Sequence, residues 1–553
     1  MTVTHAEVQA RLTGPGELFE MEEIGDTGIR TWKHAPVHFR ALLEMSRYHG
    51  EKVFLVYEDE HITFEEHFRR AATLARRLVE DYGVAKGDRV VVAMRNYPEW
   101  VVAFSAALAA GAVAVPLNAW WTEPELAYGV TDSGAKVLIA DGERAAKLAA
   151  TGVPLIVTRG EPPAGARSLD EVLGEVRADV TLPEVELLPE DPATIFYTSG
   201  TTGRPKGALG SHRNAGQSPM TVAYGLLRAV ALAGRDVAAA VGVRRVTLLA
   251  VPLFHVTGCF SALTTTMFTG GGLVLMYKWD PERALRLIER EKVTTMIGVP
   301  TNAWQLMSHP DFGRYDLSSL TTLGYGGAPA PPRLLERINE NLPNRAPSNG
   351  YGMTETTALA IGNGGPDYDA RPDSIGLPSA VVDVRVVDPA GDELPAGEVG
   401  ELCVRGPNVI LGYWNRPEET AQTFVGGWLH TGDLARIDED GFVYIVDRAK
   451  DMVIRGGENV YCAEVEAALF EHPAVDDAAV IGVPHDELGE EVGAVLCLAP
   501  GSSVTAGELR EFLSGRIAAF KIPAHVWFRE GELPRNPGGK ILKTRLRREI
   551  LGP

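Results

Sequence analysis

The run YTSGTTGRPKG, Tyr197 to Gly207, carries four Ser/Thr hydroxyls, three glycines, one proline and two cations in eleven residues. No helix or core accepts that composition. It fits either a mobile polar loop or a loop whose backbone N–H groups and hydroxyls hold an anion such as phosphate. A P-loop is excluded, because G-x-x-x-x-G-K-[ST] needs Gly before the lysine and Ser or Thr after it. Here Pro205 precedes Lys206 and Gly207 follows it.

Such a loop needs rigid flanks. ATIFY, just before it, reads as a strand, and ALGSHRNAG, after it, as the start of a helix. RVVVAM, KVLIAD, TLLAVPLF, GLVLMY and TTMIGVP read as further buried strands, with helical runs such as DPERALRLIEREKV between them. That β-α-β-α order predicts helix-covered parallel sheets. Phe64, Phe68, Ala71, Leu74 and Leu78 share one helical face, as core packing requires. From about residue 380 the runs VVDVRVVD, GELCVRG and GFVYIVD are joined by DPAGD and DEDG turns, predicting an antiparallel β-rich subdomain. The last hundred or so residues mix helix and strand. The expected fold is therefore α/β: a large N-terminal domain over 1–449, with two mostly parallel sheets and a β-rich subdomain at about 380–449, then a small α+β domain over 450–553.

A net charge of -20 opposes general nucleic-acid binding. Cys259, Cys403, Cys462 and Cys497 show no metal-ligand spacing and predict no disulfide framework, which suits a reducing, cytoplasmic setting. The N-terminal stretch lacks an apolar signal region. Trp100–Leu117 is uncharged over 18 residues, but Gly111 and Pro116 divide it into a buried helix, a turn and a buried strand. Residues 246–277 hold only His255 among ionic side chains, and Pro252, Gly258 and the glycines at 270–272 forbid one spanning helix. This run is expected to wall a core or an apolar tunnel. Peripheral membrane contact remains compatible, as do a monomer and a homodimer.

The loop string closely resembles the phosphate-binding signature of the adenylate-forming enzymes: acyl-CoA synthetases, amino-acid adenylation domains and luciferases. More motifs follow in that family's order. They are PLFHVTG (252–258), GGAP (326–329), NGYGMTET (349–356), GGWLHTGDLARIDEDGFVYIVDRAKD (426–451), GGENVYCAEVE (456–466) and PRNPGGKILK (534–543). The resemblance covers nearly the whole chain. It implies a two-step reaction. A carboxylate attacks the α-phosphorus of ATP to give acyl-adenylate and pyrophosphate, and the thiol of coenzyme A then displaces AMP.

The resemblance also implies roles. Thr198, Ser199, Gly200, Thr201, Thr202, Gly203 and Lys206 would cradle the β- and γ-phosphates. Gly327, Ala328 and Pro329 would border adenine, and Asn349, Gly350, Tyr351, Gly352 and Met353 would wall the adenine and α-phosphate. Thr354 would donate to the α-phosphate, Glu355 would hold Mg²⁺, and Asp433 and Arg448 would meet the ribose. Lys540 would reach the carboxylate and α-phosphate oxygens. Lys450 is the expected hinge, about which the mobile C-terminal domain exchanges Lys540 for the loop bearing Gly456, Gly457 and Glu458 near the pantetheine of coenzyme A. Cys462 stands where relatives often have Pro.

His255 resembles the residue at the mouth of the acyl pocket. Amino-acid-activating relatives carry Asp at this corner, so an amino acid is disfavoured. Gly258, where some long-chain relatives place a Trp gate, and Gly324 and Gly326 are expected to leave room. The expected function is AMP-forming acyl-CoA synthesis on a medium- or long-chain fatty acid. Alternatives are an aromatic or alicyclic acid, or acyl transfer to a carrier protein. Nothing resembling an appended carrier domain follows Lys540, and no CoA-blocking insert is evident.

Overall fold

A computed structural model describes residues 4–198, 205–327, 332–343, 345–448, 451–455, 458–485, 487–536 and 539–552. Two large sheets form the N-terminal part. The first runs, in spatial order, Gly412–Tyr413, Lys206–Ser211, Pro192–Thr198, Val113–Pro116, Arg89–Ala93, Val137–Asp141, Leu155–Thr158 and Arg167–Ser168. From Pro192–Thr198 onward its neighbours pair in parallel, and the Lys206 edge is antiparallel. The second runs Leu377–Pro378, Ala358–Gly364, Ala346–Met353, Thr322–Gly326, Thr295–Gly298, Val246–Leu249, Gly272–Leu275, Val53–Tyr57 and Glu60–Thr63. It is parallel at its centre and antiparallel at both edges.

The core between the sheets explains the uncharged run that begins at Trp100. Pro98–Ala109 is a helix buried at every position but Glu99, and Gly111 turns the chain at φ +79° into Val113–Pro116. A helix apolar all round needs a protein environment on every side, and this one has it. The amphipathic helix Phe64–Glu80 buries the face predicted for it, and a Thr63/Glu66 capping box starts it. Among the described residues no helix is long and apolar enough to cross a membrane.

Asp383–Val387, Gly400–Arg405, Trp428–Ile437, Phe424–Val425 and Val443–Arg448 form an antiparallel five-stranded sheet. The C-terminal part carries its own sheet, Glu458–Val460, Val453–Arg455, Gly489–Leu498 and Val475–His485, with His525–Phe528 added in parallel. Helices Cys462–Phe470 and Ala506–Leu513 pack on one face, and Lys543–Leu551 on the other.

Two local expectations fail. The phosphate-loop candidate does not join a strand to a helix. Its stems, Pro192–Thr198 and Lys206–Ser211, are a β-hairpin in which Thr198 pairs with Lys206, and the helix starts only at His212. The helix His212–Leu232 therefore begins beyond the second stem, not at residue 207. The strand expected over TLLAVPLF stops at Leu249, and the chain instead enters a π-helical turn over Thr257–Leu263. Such turns recur at functional sites.

Candidate active site

A cleft of about 1360 Å³ lies between the N- and C-terminal parts. Gly327, Asn349, Gly350, Tyr351, Gly352, Met353, Asp433, Arg448 and Lys540 all line it. Ser199, Gly200, Thr201, Thr202, Gly203, Ala328, Pro329, Lys450, Gly456 and Gly457 lie outside the described residues.

The polar end of the cleft is built by strand register. Asp433 and Arg448 are cross-strand partners, with Arg448 Nε 3.0 Å from Asp433 Oδ1. The Tyr351 hydroxyl donates to Asp433 Oδ2 at 2.6 Å. Burial and this carboxylate push the Tyr351 phenol well up, so it stays a donor. Lys540 is carried by a turn in which its N–H donates to Asn536 Oδ1 at 2.9 Å. Gly539 holds φ +78°, and a Cβ there would lie 2.8 Å from Val299 Cγ2. The lysine loop is thus seated against the N-terminal part, while Glu458 is exposed.

Thr354 and Glu355 sit in a 3₁₀ turn, Thr354–Thr356, held by an unusual backbone. Thr357 and Ala358 both take left-handed conformations, φ +49° and +76°. Gly352 is required there, because a Cβ would lie 1.5 Å from the Ala358 carbonyl oxygen. Non-glycine residues at positive φ cost energy and persist where the surroundings impose them. Glu355 is buried, and burial pushes its carboxyl up from the usual range. Its Oε1 accepts from the Tyr413 hydroxyl at 2.7 Å.

Tyr413 was missed from sequence. It lies on the short edge strand paired with Lys206–Ser211, and the Lys206 ammonium stands 5.2 Å from its ring centroid. The hairpin stems are braced from the same side. The Tyr197 hydroxyl donates to Asp132 Oδ2 at 2.8 Å, Arg416 donates to Asp132 Oδ1 at 3.0 Å, and the Tyr128 hydroxyl donates to the Pro205 carbonyl at 3.0 Å. Thr198 closes the stem weakly, donating from its hydroxyl to the Lys206 carbonyl at 3.4 Å. Mg²⁺ commonly binds through one or two carboxylates plus substrate phosphates. With one oxygen bonded to Tyr413, Glu355 offers its other oxygen for that role, so this donor set fits the ion.

His255, Gly258, Gly324 and Gly326 stand apart from the cleft lining. His255 is partly buried, burial pushes its imidazole down to about 4, and its enclosed Nε2 has no partner among the described residues. The glycines divide. A Cβ at Gly258 would meet the Pro252 carbonyl oxygen at 2.3 Å, and one at Gly326 the Gly350 carbonyl oxygen at 2.3 Å. Both glycines are needed for close backbone packing. At Gly324 a Cβ would make ordinary contacts, the nearest 3.6 Å from Ser348 Oγ.

The chain matches the AMP-binding enzyme family over residues 42–414 and the AMP-binding enzyme C-terminal domain over 464–540. It is 40% identical to a feruloyl-CoA synthase of Amycolatopsis sp. over 490 residues, 88% of this chain and 94% of that one. It is 33% identical to a long-chain-fatty-acid–CoA ligase of Bacillus subtilis, covering 90% and 92% of the two chains. The o-succinylbenzoate CoA synthetase of Bacillus subtilis, solved with its acyl-adenylate intermediate, superposes with a TM-score of 0.77 at 32% identity, covering 92% of this chain and 97% of that one. The chain therefore belongs to the AMP-binding, adenylate-forming enzyme family, as an AMP-forming acid–thiol ligase of the acyl-CoA synthetase kind.

Proposed function

We propose that this protein is an ATP-dependent CoA ligase for a flat, ring-bearing hydrophobic carboxylic acid, working through an acyl-adenylate. One observation carries the choice of acid. Register aligns Gly324, Ser348 and Gly364 in one row across three strands, and Gly326, Gly350 and Gly362 in the next. Paired residues share a face of a sheet, so five glycines and one serine pave one patch. Side chains alternate, so Tyr351 turns to the opposite face, where it meets Asp433. Gly350 also lines the cleft, so the patch adjoins the nucleotide end, and the Leu359 side chain covers it at Gly350, 2.8 Å from where a Cβ would stand. The π-helical turn that follows His255 packs against the Ala358–Gly364 strand and against the helix His212–Leu232, whose Ala229 approaches the Gly364 position.

Size favours a ring over a long tail. Three strands at ~4.8 Å spacing make a floor about 10 Å wide and only two residue rows deep. A Cβ at Gly362, or at Gly225 on the overlying helix, would meet nothing within 4 Å. Ala229 closes down on Gly364 and Gly365, whose Cβ positions would lie 3.9 and 3.2 Å from its own. Two relatives whose names specify ring-bearing acids, the feruloyl and o-succinylbenzoate ligases, support the reading. A medium- or long-chain fatty acid is the second reading, supported by the apolar run beside His255 and the fatty-acid ligase relative.

In the first step the substrate carboxylate oxygen bonds to the α-phosphorus as pyrophosphate leaves. Lys540 offsets charge on the carboxylate and α-phosphate oxygens, and Thr354 donates to the α-phosphate. Asp433 accepts from the ribose hydroxyls, and Arg448 holds Asp433. Lys206 neutralises the β- and γ-phosphates. Glu355 would hold Mg²⁺, which when bound would supply compensating charge for the leaving pyrophosphate. His255, neutral and with its enclosed Nε2 left unpartnered among the described residues, orients the acid. In the second step the C-terminal domain turns about Lys450, brings Gly456, Gly457 and Glu458 to the site, and the CoA thiol sulfur bonds to the acyl carbon as AMP leaves. The deciding test is acid- and CoA-dependent AMP release across aryl, arylpropenoic, alicyclic and straight-chain acids. Ring-bearing acids are expected to lead in kcat/KM; preference for straight chains would overturn this choice of acid.

A further inference from the structure

Tyr413 belongs to a short strap, 410–414, that touches both halves of the phosphate end. Ile410 N–H donates to the Glu355 carbonyl at 3.0 Å, Leu411 N–H to the Leu209 carbonyl at 2.9 Å, and Trp414 N–H to the Gly207 carbonyl at 2.7 Å. The strap is therefore bonded to the Glu355 turn on one side and to the Lys206 strand on the other. Its own shape is constrained. Gly412 takes φ +142°, a Cβ there would lie 2.6 Å from Thr420 Cγ2, and Tyr413 N–H donates to Thr420 Oγ1 at 2.9 Å. The Tyr413 ring meets Phe424 edge-on, with centroids 5.9 Å apart.

From this fixed seat the side chain serves two groups that approach from different sheets. Its hydroxyl donates to Glu355 Oε1 at 2.7 Å, and its ring faces the Lys206 ammonium at 5.2 Å. A hydroxyl donating to a carboxylate is a strong, directional bond, and it leaves the second carboxylate oxygen available. A cation beside an aromatic face is attracted without being neutralised, so its charge stays available to a phosphate. Had Lys206 paired directly with Glu355, each would have masked the other.

We propose that Tyr413 is a positioning residue for the phosphate and metal end of the site. Its hydroxyl sets which Glu355 oxygen faces Mg²⁺, and its ring sets the approach of Lys206. This rests on the reading that Glu355 and Lys206 act at the phosphates of ATP. A fixed carboxylate and a fixed ammonium lose less freedom when Mg·ATP arrives, so the benefit is read in nucleotide binding.

The test separates hydroxyl from ring. ATP is titrated calorimetrically into the enzyme without acid, once with Mg²⁺ and once in EDTA. Tyr413→Phe keeps the ring and is expected to weaken ATP binding about tenfold with Mg²⁺ and not at all in EDTA. Tyr413→Leu is expected to weaken binding in both. Thioester formation from supplied acyl-AMP and the melting temperature of Tyr413→Phe should match the wild type, which a merely structural tyrosine would not allow. Wild-type Mg·ATP affinity in Tyr413→Phe, or an equal loss in EDTA, overturns the proposal. Glu355→Gln and Lys206→Ala run alongside. If neither weakens Mg·ATP binding, the underlying reading of the phosphate end fails; if both do and Tyr413→Phe does not, only the role of Tyr413 fails.

Discussion

Asp433 and Arg448 face each other across antiparallel strands, carboxylate to guanidinium at 3.0 Å, with the carboxylate buried and also accepting from Tyr351. One acceptor thus holds two donors and presents the cleft with a fixed orientation. Asp433→Asn keeps the shape and removes the charge. Losing charge-assisted hydrogen bonds of this kind costs about 1.5–3 kcal/mol. The KM for ATP is expected to rise roughly 10- to 100-fold, with the KM for the acid little changed, as steady-state pyrophosphate release will show.

Lys540 stands in the cleft while Glu458 is exposed, as a two-pose enzyme caught for adenylation would have them. Lys540→Ala should slow acid-dependent pyrophosphate release by about 10²- to 10³-fold, the usual cost of one preorganised electrostatic group. The second half-reaction, from supplied acyl-AMP, should be largely kept. Equal loss in both halves would contradict the exchange of faces.

Two glycines give opposite predictions. Gly352→Ala puts a Cβ 1.5 Å from a carbonyl oxygen and should cost folded protein outright, seen as insolubility or a collapsed melting transition. Gly225→Ala meets nothing within 4 Å and lies in a helix, where alanine is favoured by about 1 kcal/mol. Its melting temperature should hold or rise.

His67, His212 and His255 are each pushed down to about 4 by burial. An unfolded histidine titrates near 6.5. As pH falls from 6.5 toward 4 the unfolded chain takes up protons that the folded protein refuses, so stability drops over that window and is full above it. His255→Asn removes one such group. It should equal the wild type at pH 7 and lose about 2 kcal/mol less at pH 5 in denaturant midpoints. A wild-type-like loss would mean that His255 takes up its proton in the folded protein.

Much of this site could be read along the chain, because each motif places its residues within a few positions of one another. Asp433, Arg448 and Lys540 come from separate motifs, yet line one cleft. Tyr413 left no such trace. Its role depends on the pairing of a two-residue edge strand with Lys206–Ser211, and on a turn 58 residues away at Glu355. The glycine floor was hidden for the same reason. Gly324, Gly326 and Gly350 are among the residues expected from sequence, but Ser348, Gly362 and Gly364 are not, and their alignment depends on register among three strands. The stems at Thr198 and Lys206 pair as strands, whereas ALGSHRNAG reads as a helix start because it runs into a true one, with Ser211 as its cap.

By itself the sequence determined the α/β class, the order of the motifs, the family and the reaction type. These follow from local hydrophobic period and from residues close together in the chain, where covalent geometry limits what can form. Only the tertiary structure decided which glycines permit close backbone contact and that Tyr413 joins Lys206 to Glu355. Those facts depend on register between strands remote in sequence, set by the burial of whole sheet faces rather than by any short stretch of residues.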